Sequence, residues 1–126
     1  MTGHGRVLVV DDQPQVLDVL REIVEHMGYE TCTAASVEQA IAAMATVRPH
    51  VVFLDLLMPG MSSLEVLAHF RGHHGAVPVI VITGNMEQEI ARQARAGGAF
   101  AVVGKPIDLS AVKVVVALAM RLAPRT

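Results

Sequence analysis

Four short apolar segments constrain the fold of this chain more than any other feature of its sequence. They are rich in β-branched residues and do not alternate with polar ones: VLVV at 7–10, VVFL at 51–54, VIVI at 79–82 and FAVV at 100–103. Uninterrupted runs of this length are typical of strands buried on both faces, as in a parallel sheet that helices cover on each side. A weaker strand, YETCTA at 29–34, is predicted between the first two.

Helix signals fill the segments between the predicted strands. The predicted helix starts are marked by Pro14, by Ser36 with Gln39, by Ser62 with Glu65, by Asn85 and by Asp108; the predicted ends are Gly28, Gly72 and the Gly97–Gly98 pair. His73 and His74 follow Gly72 and are interpreted as a solvated loop rather than a metal site. Five strands and five helices in strict alternation predict an open, doubly wound α/β sheet with right-handed crossovers.

The composition limits the protein class. The 126 residues are about one domain, predicted to have its core over about 6–122, and 52% of them are hydrophobic against 17% charged. The net charge of -2 gives no reason to expect nucleic-acid binding. The single cysteine, Cys32, fits a reducing compartment, and the longest apolar run, VVVALAM at 114–120, is too short to span a membrane. We therefore expect a cytoplasmic protein that binds neither nucleic acid nor membrane.

Polar residues directly follow four of the predicted strands. They are Asp11 and Asp12 after the first, then Asp55, Thr83 and Lys105. The carboxyl ends of parallel strands meet at one edge of the sheet, so these side chains are expected to converge there. Three clustered carboxylates repel one another, and a divalent cation with the lysine would offset that cost. Oxygen ligands suit Mg²⁺, and such a site suits phosphoryl chemistry.

Each of these residues alone has a simpler interpretation. Asp11 and Asp12 could be acids that favour a helix N-terminus, and Asp55 could be a turn residue. Thr83 could be a helix cap and Lys105 a solvated surface lysine. Their joint occurrence at four strand ends favours a functional site.

The segments VLVVDD, LDLLMPGM, VIVITG and VGKP, in this order, resemble the receiver domains of two-component response regulators. The resemblance covers essentially the whole chain. It implies a flavodoxin-like sheet with strand order 2-1-3-4-5. It also implies that the chain takes a phosphoryl group from a sensor histidine kinase or a phosphotransfer protein, as a signalling phosphoacceptor that catalyses only its own Mg²⁺-dependent phosphorylation and dephosphorylation.

The resemblance also implies a role for each residue that receives the phosphoryl group. Asp55 is then the phosphoacceptor, which becomes an acyl phosphate. Thr83 is expected to hydrogen-bond the phosphoryl group and Lys105 to pair with another of its oxygens. Pro106 is expected to follow a cis peptide bond that aims the lysine.

The Mg²⁺ ligands implied by the resemblance come from the ends of two strands. Asp12 and Asp55 are expected to bind the ion directly, and Asp11 mainly through water or by orienting its neighbours. The backbone carbonyl of Leu57 is expected to supply a further oxygen.

Several positions depart from the pattern of the family. Val102 stands where Tyr or Phe is usual, and the nearest aromatic residue, Phe100, is expected by strand alternation on the same side of the sheet. The other departures are Leu57, Ser62, Ser63 and Gly84.

Three other functions can be weighed against this interpretation. A nucleotide-binding enzyme with a P-loop is excluded because Ala99 and Pro106 occupy positions that require Gly and a hydroxyl residue. A haloacid-dehalogenase-type phosphatase fails because Leu57 replaces the required second acid. A degenerate receiver that acts only as a phosphorylation-independent docking module stays open as the alternative.

The output surface is expected on the last helix. The apolar residues of this helix cover an arc around its axis roughly twice as wide as the stripe of about 100° that a helix packed on a sheet needs. Val114 and Leu118 are therefore expected to stay exposed. With no effector expected after Leu122, we predict that this helix and the preceding one contact a downstream protein or a second copy of the chain.

Overall fold

The computed structural model describes residues 5–55, 63–84 and 88–123. Its five strands lie within a residue of the predicted segments: β1 Arg6–Val10, β2 Glu30–Ala34, β3 Val51–Asp55, β4 Val79–Thr83 and β5 Ala101–Gly104. All pairings between them are parallel, and the order across the sheet is β2-β1-β3-β4-β5. The predicted fold class and strand order are confirmed.

Five helices alternate with the strands, as the sequence predicts: α1 Pro14–His26, α2 Val37–Thr46, α3 Ser63–His73, α4 Gln88–Ala96 and α5 Leu109–Leu122. The predicted cap of α2 forms, since the backbone N–H of Gln39 donates to Ser36 Oγ at 3.2 Å. Asp108 caps α5 by accepting from the backbone N–H groups of Ser110 and Ala111. The predicted caps at Ser62 and Asn85 lie outside the described residues.

The sheet is buried on both faces, which explains why its strands lack polar alternation. One face packs against α1 and α5 through Val7, Phe53 and Ile80. The opposite face packs against α2, α3 and α4 through Leu8, Leu54 and Val81. Helices on both sides leave the two ends of the strands as the exposed edges of the sheet. Among the described residues, no helix combines the length and hydropathy needed to cross a bilayer.

Two local predictions were wrong. The helix predicted to end at Gly72 continues to His73, so this histidine lies in the last turn of α3 rather than in a loop. Phe100 does not share a face with Val102: Phe100 packs on the α1 and α5 side, and Val102 packs on the opposite side. Because β5 begins only at Ala101, Phe100 precedes the strand and the alternation rule does not apply to it.

Candidate functional site

The carboxyl ends of β1, β3, β4 and β5 place the predicted polar residues at one edge of the sheet, which we call the acidic rim: Asp11, Asp12, Asp55, Thr83 and Lys105. Asp55 is the last residue of β3 and Thr83 the last of β4. Asp11 directly follows β1, and Lys105 directly follows β5. The sheet order sets β1 and β4 on either side of β3, so their ends flank Asp55.

Burial separates the acidic rim into buried and exposed members. Asp11 is 0% exposed, Asp55 2% and Thr83 0%, and these are the polar side chains buried among the described residues. Asp12 is exposed. Burying a carboxylate is costly unless a cation or hydrogen bonds compensate it. The arrangement therefore needs a positive charge close to Asp11 and Asp55.

Lys105 supplies that charge. Its Nζ lies 3.1 Å from Asp11 Oδ2 and 3.5 Å from Asp55 Oδ2, and its side chain is only 19% exposed. The backbone also fixes its position, because the N–H of Lys105 donates to the carbonyl of Thr83 at 2.9 Å. The peptide bond between Lys105 and Pro106 is cis, as predicted. One ammonium group thus bridges the two buried carboxylates.

The structure adds Gln13 to the acidic rim, a residue that the sequence analysis missed. Lys105 Nζ donates to Gln13 Oε1 at 2.9 Å. The backbone N–H of Gln13 donates to Asp11 Oδ1 at 2.8 Å and so fixes the carboxylate. An Asp that accepts from the backbone two residues later is a common turn, and this was the available sequence signal. Gln13 thus holds both partners of the Asp11–Lys105 ion pair.

The pKa of Asp11 is raised above the ordinary value of an aspartic acid, chiefly because burial penalises the charged carboxylate. The hydrogen bond from Gln13 and the ammonium of Lys105 lower the pKa, whereas the negative charge of Asp55 raises it. Asp11 Oδ2 is a buried oxygen, and its partner is the ammonium of Lys105. A further cation at this oxygen would favour the charged form.

The carboxylates of the acidic rim fit a small divalent cation. One oxygen from each of Asp11, Asp12 and Asp55 can be chosen so that all three lie within 4.8 Å of one another. Ligands of an octahedral Mg²⁺, bound at about 2.1 Å, lie about 4.2 Å apart when opposite and about 3.0 Å apart when adjacent, so these oxygens must draw together to bind one ion. The donor set is all oxygen, which suits Mg²⁺. The predicted fourth ligand, the carbonyl of Leu57, lies outside the described residues.

Val102 fills the position at which the family pattern has Tyr or Phe. Its half-buried side chain packs against the core on the α2, α3 and α4 side of the sheet. Gly84, which follows Thr83, is exposed, and a Cβ there would meet only Lys105 Cδ at 4.0 Å. An alanine at this position would therefore fit without displacing the lysine.

Comparison with known proteins agrees with the geometry. The family model of the response regulator receiver domain matches residues 7–117. The regulatory protein AtoC of Escherichia coli (strain K12) is 36% identical over 122 residues, which are 97% of this chain and 26% of AtoC. The chain thus spans about a quarter of that relative. Sporulation initiation phosphotransferase F of Bacillus subtilis (strain 168) is 31% identical over 110 residues, which are 87% of this chain and 89% of that protein.

Solved structures show the same architecture. The receiver domain of NtrX from Brucella abortus superposes with a TM-score of 0.87 at 32% identity. The superposition covers 91% of this chain and 98% of that domain. The similarity therefore extends over nearly the whole of both chains.

Proposed function

Because this chain belongs to the response regulator receiver family, and is a signalling phosphoacceptor domain by homology, we propose that Asp55 is its phosphoacceptor. A carboxylate oxygen of Asp55 attacks the phosphorus of a phosphohistidine on the partner. The new bond joins this oxygen to phosphorus, the phosphorus–nitrogen bond breaks, and the leaving imidazole is neutral because its other ring nitrogen already carries a proton. The product is an acyl phosphate. The observation that supports this role best is a buried carboxylate beside a buried ammonium at the carboxyl edge of the sheet.

Lys105 and Thr83 are the proposed positioning groups for the phosphoryl oxygens. Lys105 Nζ already lies beside Asp55 and carries the charge that a phosphoryl oxygen needs. Thr83, at the end of the neighbouring strand, offers a hydroxyl as donor. We propose that the acidic rim binds Mg²⁺ through Asp11, Asp12, Asp55 and the carbonyl of Leu57. When bound, the ion would neutralise charge on the phosphoryl oxygens.

We further propose that the chain catalyses only its own phosphorylation and dephosphorylation. The test is incubation with acetyl phosphate and Mg²⁺, followed by the intact mass. We expect the wild type to gain one phosphoryl group and Asp55→Asn to gain none. Asp18→Asn, an exposed carboxylate on α1, is the matched control and should behave as the wild type. A phosphorylated Asp55→Asn protein would contradict the assignment.

The partner must reach the acidic rim, and this locates its contact surface. Receiver domains of response regulators interact with histidine kinases or phosphotransfer proteins. When a phosphohistidine reaches Asp55, the partner domain that carries it must lie over the residues that border the acidic rim. Val19 and Ile107 line the grooves on the α1 side of Lys105, and Val19 is 44% exposed. We propose that these apolar side chains contact the phosphoryl donor.

Two phosphoryl donors separate docking from chemistry. Val19→Glu should slow phosphotransfer from a phosphorylated kinase or phosphotransfer protein, because it places a charge in the apolar contact. The same variant should react normally with acetyl phosphate, which needs no docking surface. Ala42→Glu, at an exposed position of α2 on the other side of the sheet, is the matched control. Equal loss with both donors would mean that Val19 acts through the fold.

The output surface is proposed on α5. The prediction that Val114 and Leu118 stay exposed is confirmed, at 60% and 48%. We propose that this face, with α4, contacts a downstream protein or a second copy of the chain. Sedimentation with and without beryllofluoride, on the wild type and on Val114→Glu with Leu118→Glu, tests this proposal. A wild type that is monomeric in both states, with a double variant that still binds its kinase and targets, would refute it.

The remaining sequence predictions stay predictions. They are a single receiver domain over 1–126 with its core at about 6–122, a cytoplasmic location, and no binding to nucleic acid or membrane. The docking-module alternative gains no support from the described part of the chain, because the predicted carboxylates, threonine and lysine all lie at the acidic rim.

A further inference from the structure

A cavity of about 230 Å³ opens at the amino edge of the sheet, the edge opposite to the acidic rim. It lies where β4 and β5 begin, between the ends of α3 and α5. Its lining residues are Arg71, Ala76, Pro78, Gly98, Phe100 and Leu122. The lining side chains are thus apolar apart from one guanidinium group. Because drug-sized ligands need about 300–1,000 Å³, this cavity suits a single ring or a short carbon chain.

Two contacts hold the side chain of Arg71 in place. Its Nη1 donates to the carbonyl of Gly75 at 2.8 Å, which uses one of the five N–H donors of the guanidinium. Its stem lies across Gly98, where a Cβ would meet Arg71 Nε at 2.7 Å and Cδ at 3.2 Å. The glycine therefore makes room for the arginine. An arginine that is already held loses less conformational entropy when it binds a ligand.

The positive charges around the cavity favour an anion. Arg71, Arg95 and Arg121 lie in the last turns of α3, α4 and α5, and these three helices all end at the amino edge. Basic residues at such positions balance the negative ends of the helix dipoles. Each guanidinium carries a full charge, however, against about half a charge at a helix end. The surroundings of the cavity are therefore positive on balance.

The described carboxylates lie away from the cavity. Those of α3 and α4, Glu65 and Glu89, are in the first turn of each helix, and Asp108 precedes α5. Near the amino edge, Glu25 and Glu30 belong to α1 and to the strand on which it packs, β2, which is three strands from β4. At about 4.8 Å per strand this separation is about 14 Å, more than the Debye length of about 8 Å at physiological salt. A ligand can therefore supply the missing negative charge.

We propose that this cavity binds a small organic acid, whose carboxylate pairs with Arg71 and whose apolar body contacts Phe100 and Leu122. A planar guanidinium binds a carboxylate through two parallel hydrogen bonds, which fixes the orientation of the ligand. Phe100 is half-buried and Leu122 is 66% exposed, so the apolar body would cover surface that water now contacts. The acidic rim has the opposite preference, because its carboxylates repel an anion. The two sites therefore differ in charge as well as in position.

Titration of the wild-type protein with phenylacetate, phenylacetamide and acetate tests the proposal. The backbone amide resonances of Gly75 and Gly98 report binding at the cavity in NMR spectra. We expect phenylacetate to shift both resonances saturably. Phenylacetamide has the same shape without the charge, and acetate has the charge without the ring, so each should bind at least about tenfold more weakly. Equal binding of phenylacetate and phenylacetamide, or no saturable shift at the two glycines, would overturn the proposal.

Variants of the arginine give a second test. Arg71→Met removes the guanidinium but keeps a stem long enough to cross Gly98, and should weaken phenylacetate binding by about tenfold or more. Arg71→Lys keeps the charge without the planar fork and should bind with intermediate affinity. Arg21→Met, which removes an exposed arginine from α1, is the matched control. Wild-type affinity in a folded Arg71→Met protein would overturn the proposal. Neither test involves phosphorylation, so their failure leaves the assignment of Asp55 untouched.

Discussion

Removing the positive charge of Lys105 should destabilise the Mg²⁺-free protein strongly. Lys105→Met keeps most of the side-chain volume but leaves Asp11 and Asp55 buried without their cation. At an effective dielectric constant of about 20, contacts of 3.1 and 3.5 Å are each worth about 5 kcal/mol of Coulomb energy. Breaking a buried ion pair on one side costs about 3–5 kcal/mol. Because Lys105 is 19% exposed and water weakens the contacts, we expect about 3 kcal/mol.

Thermal unfolding in the presence of a chelator measures this effect. An unfolding entropy of about 2.1 cal/mol/K per residue over 126 residues converts about 3 kcal/mol into a fall in Tm of about 11 °C. Lys113→Met removes an exposed lysine from α5 and should change the free energy of unfolding by no more than about 0.5 kcal/mol. Mg²⁺ should stabilise Lys105→Met more than the wild type, because it replaces the lost charge.

The pH dependence provides an internal check on the same variant. Lys105 lowers the pKa of Asp11, so Lys105→Met should raise that pKa further above the ordinary value of an aspartic acid. A carboxyl whose folded pKa exceeds its unfolded pKa destabilises the fold at neutral pH, and this cost disappears as pH falls through the folded pKa. The difference between wild type and Lys105→Met should therefore shrink in acid. If Lys105→Met lost no more free energy of unfolding at neutral pH than Lys113→Met, the electrostatic account would be refuted.

Three further perturbations follow from local geometry. Burial first, and the charge of Arg6 second, lower the pKa of His50 below 6.5. The stability that the neutral His50 imidazole contributes is therefore fully present above pH 6.5 and is lost as the pH falls through the lowered pKa. Equal acid sensitivity of His50→Gln and wild type in urea titrations down to about pH 5 would contradict this. Gly98→Ala should lower the free energy of unfolding by at least about 1 kcal/mol, because Gly98 has a φ of +100°. Gly72→Ala should raise it by about 0.5 kcal/mol, because Gly72 is helical and a Cβ there meets open space. Urea titrations in which both variants changed stability in the same direction would refute this. Asp12→Ala should weaken Mg²⁺ binding about tenfold by calorimetry while changing the metal-free Tm little, because Asp12 is exposed; an unchanged affinity would remove it from the ligand set.

The strands and the acidic rim were predictable because local sequence decides both. A run such as VVFL is typical of a strand buried on both faces in a parallel sheet, and the residue after such a strand lies at the carboxyl edge. Asp55 and Thr83 are found at that edge for this reason. The distances from Lys105 to two carboxylates could not be predicted, because they depend on how four loops pack together.

Two positions, the end of α3 and Gln13, could not be predicted from local rules. Gly72 was expected to end α3, yet Gly28 and Gly98 take the positive φ of helix-ending glycines while Gly72 is helical. His73 lies in the last turn of α3, and its ring Nδ1 donates to the carbonyl of His69. Gln13 was missed because its side chain bonds a lysine 92 residues away.

Chemical trapping of the phosphorylated residue tests the central claim most directly. Borohydride reduces an aspartyl phosphate to homoserine, and peptide mass spectrometry then locates the converted residue. After incubation with acetyl phosphate and Mg²⁺, we predict homoserine at position 55 alone, with Asp11 and Asp12 unchanged. Homoserine at Asp11 or Asp12 with Asp55 intact, or no conversion with any phosphoryl donor or kinase, would contradict the account.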